Sequence, residues 1–187
     1  HDALPIWPHA VGGPRRRHRA ARLGHFLGHH GIQPGRQHGA GHDAQALAGG
    51  TRLLQYRDLS DDTARRRAEA TALAQLCRAY GVPLIIDHDI ALALAAGADG
   101  VHLGRDDDDP TAVRAVLGEH AIVGVSCYGS LSRAQAAARA GASYVSFGAF
   151  FPSPTKPQAA CVPLDLLRQS AALGVPPGLA GAWESMT

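Results

Sequence analysis

Lysine is nearly missing from this chain. A single one, Lys156, stands among 18 basic residues, so every other side-chain cation apart from histidine is an arginine. Cysteine is also sparse. Cys77, Cys127 and Cys161 are odd in number and lack metal-type spacing, which argues for unpaired thiols in a reducing compartment. No apolar run approaches the ~20 residues a membrane span needs, and no secretory pattern opens the chain. The expectation is a cytoplasmic protein with no membrane partner. Aromatic residues are 5% of the total, and none interleaves Arg15, Arg16, Arg17, Arg19 and Arg22. That argues against a nucleic-acid-binding arm.

What is present divides into two unlike parts. A length of 187 residues, 45% hydrophobic content and a net charge of +2 describe one ordinary soluble domain. Residues 1–50, however, hold eight of the eleven histidines and ten of the 22 glycines, without helical or strand periodicity. Such a stretch has little apolar surface to offset the entropy of ordering it. We read 1–43 as an irregular leader that need not be native to the domain, 44–174 as the domain itself, and 175–187 as a truncated or divergent tail.

From Thr51 onward strands and helices alternate. Residues 52–56 (R-L-L-Q-Y) form a short strand. Ser60 is placed to cap a helix running to Tyr80, with Asp61 and Asp62 in its first turn and Ala64, Ala68, Ala72, Leu76 and Tyr80 recurring along one stripe. Further strands follow at 84–87, 100–103, 122–125 and 144–147, and further helices at 90–96, 110–117, 131–140 and 164–172. Glycines close most of the helices, and Pro110 sits at a favoured first helical position. The strand at 84–87 is apolar until its last residue, as expected when both sheet faces are covered. Five strands with helices between them predict βα units in a parallel sheet. No G-x-G-x-x-G follows the first strand, and polar residues follow every strand. The fold expected is therefore an incomplete (β/α)8 TIM barrel, with its first and last strands missing or unrecognisable.

The strand ends carry the chemistry. The first supplies Gln55 and Arg57, the second Asp87, His88 and Asp89, the third the run Arg105 to Asp109, and the fourth Ser126. After the fifth, the loop F-F-P-S-P-T-K-P is stiffened by prolines and presents Ser153, Thr155 and Lys156. Hydroxyls and a point cation past a parallel strand suit a phosphate. Carboxylates beside a phosphorylated substrate are a usual way to hold Mg²⁺. Together these groups point to a site for a diphosphate and Mg²⁺.

Five motifs in order, Q-Y-R-D-L (55–59), I-I-D-H-D (85–89), H-L-G-R-D-D (102–107), G-V-S (124–126) and P-S-P-T-K (152–156), make the chain resemble thiamine-phosphate synthases over roughly 46–174. That resemblance implies a transferase of thiamine biosynthesis. It joins hydroxymethylpyrimidine diphosphate to a thiazole phosphate and releases pyrophosphate. It further implies that Gln55, Arg57, Lys156 and the position of Asp87 bind the pyrimidine diphosphate, with Ser126 near the pyrimidine. Ser153 and Thr155 would contact the thiazole phosphate, Asp107 and the position of His88 would hold Mg²⁺, and Lys156 would be the catalytic cation.

Three positions depart from the family pattern. Leu59 stands where the family has a phosphate-binding lysine, Asp87 replaces an asparagine, and His88 replaces an aspartate. An anion at 87 repels a diphosphate, and neutral imidazole is a poor ligand for a hard cation. Two other readings stay open. One is a thiazole tautomerase-like barrel, favoured less by the P-S-P-T-K loop and Arg57. The other is a non-catalytic phosphate-binding fragment whose open sheet edges would invite a second copy of the chain.

Overall fold

A computed structural model describes residues 28–31, 44–45, 47–150, 161–175 and 177–179. Ser153, Thr155 and Lys156 lie outside the described residues. The chain is an α/β protein built on one parallel sheet. Seven strands follow one another in sequence order: β1 (Gly28–Gly31), β2 (Leu54–Arg57), β3 (Leu84–Asp87), β4 (Gly100–Leu103), β5 (Ile122–Tyr128), β6 (Tyr144–Phe147) and β7 (Pro177–Leu179). Every neighbouring pair is parallel. Parallel neighbours need a crossover, and the helices supply most of them. These are α1 (Thr63–Tyr80), α2 (Ile90–Ala96), α3 (Pro110–Leu117), α4 (Leu131–Arg139) and α5 (Asp165–Ser170), the last followed by a 3₁₀ turn at Ala171–Leu173. Among the described residues the sheet runs linearly from β1 to β7, with no pairing between its two ends.

Strand parity divides the sheet into two faces. Leu54, Tyr56, Leu84, Ile86, Val101 and Val123 belong to the large core, together with Leu73 and Cys77 of α1. The alternate positions Leu53, Ile85 and Tyr144 form a second, smaller cluster with Ile122. By the same alternation Gln55, Arg57, Asp87, His102, Ser126 and Ser146 share that second face. The sheet thus turns oil toward the helices and polar groups the other way. Gly124 is required on this polar face, because a Cβ there would lie 2.1 Å from the Tyr144 ring.

The helix starts follow local chemistry. The side chains of Asp89, Asp109 and Ser130 accept backbone N–H groups at the first turns of α2, α3 and α4. At α1 the capping residue is Asp62, which accepts from Arg65 N at 3.0 Å, and the expected cap Ser60 instead donates its N–H to Asp58. The buried face of α1 also differs from the expected stripe. Ala70, Leu73, Ala74 and Cys77 face the core, whereas Ala64, Ala68, Ala72 and Tyr80 are exposed. Alanine is common on both sides of this helix and gives little contrast. The larger buried side chains, Leu73 and Cys77, decide the orientation.

Two strands have no pattern in the sequence. β1 (G-H-H-G) has no apolar alternation and joins the sheet through backbone pairing with β2. β7 begins at Pro177, which lacks an N–H and so sits at the start of a strand, opposite Val145 of β6.

Candidate active site

The carboxyl ends of β2, β3 and β4 bring their polar residues into one hydrogen-bonded cluster. Gln55 Nε2 donates to Asp87 Oδ1 at 2.8 Å. Arg57 forms an ion pair with Asp87 Oδ2, and its same NH1 group lies 2.9 Å from His88 Nε2. The other ring nitrogen of His88 meets Asp107 Oδ2, which also accepts the Gly104 N–H. The cluster therefore reads Gln55, Asp87, Arg57, His88, Asp107, drawn from three consecutive strand ends.

Exposure grades along it. Asp87 is 1% exposed at its side chain, Asp107 22%, His88 34% and Arg57 41%. A carboxylate buried as deeply as Asp87 persists because it is paired and hydrogen-bonded. Gln55 is also buried, and its Oε1 atom has no hydrogen-bond partner among the described residues. Gly104 makes room for His88, since a Cβ on it would stand 2.5 Å from the ring's Cε1. His88 itself has φ 64°, in the left-handed region that few non-glycine residues adopt.

Ser126 is reached by a second network. His102 Nε2 lies 2.8 Å from Ser126 Oγ, and His102 Nδ1 lies 2.8 Å from the Tyr144 hydroxyl, with the two rings stacked at 5.5 Å. Burial raises the Tyr144 hydroxyl well above the ordinary tyrosine range, and the Asp87 charge adds to the effect. The Tyr144 group is therefore neutral over any working pH. Arg133 of α4 joins the two networks, donating from Nε to Ser126 O at 2.8 Å and from NH2 to Gly104 O.

The structure brings together Gln55, Arg57, Asp87, His88 and Asp107, and places Ser126 on the adjoining network. His102, Tyr144 and Arg133 were not singled out from sequence. Parity alone would have placed His102 and Tyr144 on the polar face, because each sits at an even step from another inward-facing residue of its own strand. Arg133 gave no signal, since its partners are backbone carbonyls on other elements.

A sequence profile described as thiamine monophosphate synthase matches residues 36–180. The chain belongs to the thiamine monophosphate synthase family. A thiamine-phosphate synthase of Chromobacterium violaceum is 57% identical over 131 residues, covering 70% of this chain and 63% of the relative. That of Azoarcus sp. is 60% identical over 125 residues, covering 66% of this chain and 61% of the relative. The solved thiamine phosphate pyrophosphorylase of Pyrococcus furiosus superposes with a TM-score of 0.67 at 30% identity, covering 75% of this chain and 67% of that one. The chain therefore spans somewhat less than two thirds of the length of those two curated thiamine-phosphate synthases.

Among the described residues no group of three or more His, Cys, Asp or Glu is arranged to hold a metal ion. The carboxylates of Asp87 and Asp107 are instead engaged by Gln55, Arg57, His88 and the Gly104 backbone. No helix among the described residues is long and apolar enough to cross a membrane.

Proposed function

We propose that this chain is a thiamine-phosphate synthase-like transferase, which joins hydroxymethylpyrimidine diphosphate to a thiazole phosphate and releases pyrophosphate. The observation that carries the reading is the gathering of Gln55, Arg57, Asp87, His88 and Asp107 at consecutive strand ends in a chain of this family. The proposal extends to an incomplete (β/α)8 barrel as the fold, to small-molecule substrates and to a cytoplasmic setting.

In this reading Gln55, Arg57 and Lys156 bind the pyrimidine diphosphate. Ser126, oriented by His102, lies beside the pyrimidine. Ser153 and Thr155 contact the thiazole phosphate. The bond from the pyrimidine's methylene carbon to the diphosphate oxygen breaks, and its electron pair leaves with pyrophosphate. Lys156 and Arg57 neutralise the charge that develops on that leaving group. The aminopyrimidine ring stabilises the carbon cation, and the thiazole nitrogen lone pair closes the new C–N bond. Positioning and fixed cations supply the catalysis, with no general base needed. As they stand, the described rim residues do not fit a resident Mg²⁺, because the imidazole of His88 fills the space against Asp107.

Pyrophosphate release from the purified chain with both substrates tests the reading. Release that requires both substrates is expected, and Lys156→Ala should lower it at least ~100-fold while the fold persists. Absence of release by the wild-type chain overturns the synthase reading. Wild-type turnover by Lys156→Ala removes that lysine from the mechanism.

A further inference from the structure

Both nitrogens of the His88 ring are committed within the rim. Nε2 lies 2.9 Å from Arg57 NH1 and 3.2 Å from Asp87 Oδ2, whereas Nδ1 faces the Asp107 carboxylate, which offers only acceptors. Nδ1 then carries the ring proton and donates it to Asp107 Oδ2. The same oxygen accepts the Gly104 N–H. Asp87 is closed in a similar way, with Oδ1 taken by Gln55 and Oδ2 by Arg57. A divalent ion approaching Asp107 would meet an N–H where it needs a lone pair, and Mg²⁺ in particular requires oxygen ligands.

We infer that the His88 N–H takes the place against Asp107 that a divalent cation would occupy, so that the protein alone holds no such ion at this rim. The consequence for catalysis rests on reading the rim as a diphosphate site, whereas the test uses metal alone. The backbone permits a reciprocal change. At φ 64° His88 occupies a conformation that Asp and Asn tolerate better than most residues, so either can replace it with little added strain. Asp at this position exchanges the N–H for a carboxylate; Asn adds no charge.

The experiment titrates Mn²⁺, which suits carboxylate and water ligands, into the full chain and follows the free ion by electron paramagnetic resonance. The wild type and His88→Asn are expected to show no saturable site up to about 1 mM. His88→Asp should gain one at least roughly tenfold tighter, and adding Asp107→Asn to it should remove that site. Circular dichroism checks that each variant is folded. Saturable binding by the wild type that Asp107→Asn abolishes overturns the inference, and that result needs no change at residue 88. A folded His88→Asp chain that binds Mn²⁺ no better than wild type overturns it as well. Pyrophosphate release is measured separately, so failure here is distinct from failure of the synthase reading.

Discussion

Asp87 keeps its carboxylate where water hardly reaches, and Arg57 is the cation against it. Removing one partner of such a pair costs more than the pair contributes, because the other charge is left buried. Arg57→Gln should therefore destabilise the chain by about 1–3 kcal/mol, reduced from the fully buried case because Arg57 is 41% exposed. Asp87→Asn keeps an oxygen for Gln55 and releases Arg57 toward solvent, so its cost should be the smaller of the two. Urea unfolding of both variants checks this order, and a larger loss for Asp87→Asn contradicts it. At this scale the site was legible in the sequence wherever a polar residue ended an apolar strand, as with Gln55, Arg57, Asp87 and Ser126. His102 and Tyr144 escaped notice because their meaning lies in a mutual contact across 42 residues of sequence.

β5 shows what an element does to its side chains. Cys127 faces the helix side, and burial lifts its thiol from the ordinary 9.0 to about 11, with the Arg133 charge opposing. The folded chain then holds this proton at pH values where the unfolded chain has released it. The associated stability is fully present below about pH 9 and is lost as pH rises through about 11, a change of about 2–3 kcal/mol. Urea midpoints compared between wild type and Cys127→Ala should converge over that window. A gap that stays constant with pH contradicts the assignment. The positions of α2, α3 and α4 were legible, but the caps Asp89 and Ser130 were not, and the one cap expected by name, Ser60, gives way to Asp62. The face of α1 was not legible either, because its alanines fit either side and the choice falls to Leu73 and Cys77, which pack against strands distant in sequence.

On the scale of the whole molecule, the five inner strands and the helices between them were readable from periodicity and glycine stops. β1 and β7 were not, since G-H-H-G and a strand opening on proline have no apolar alternation and gain their place through pairing with β2 and β6. The same sheet order explains why the site forms at all. Consecutive parallel strands place their carboxyl ends side by side, so residues 30 positions apart, such as Arg57 and Asp87, become direct neighbours. If that rim receives a diphosphate, inorganic pyrophosphate titrated with the folded chain should show a saturable shift and broadening of its phosphorus NMR signal. Arg57→Gln should largely abolish the effect, and Arg168→Gln, at an exposed position on α5, should leave it intact. An unchanged pyrophosphate signal with excess wild-type chain, or an Arg57→Gln variant that matches wild type, would contradict the account.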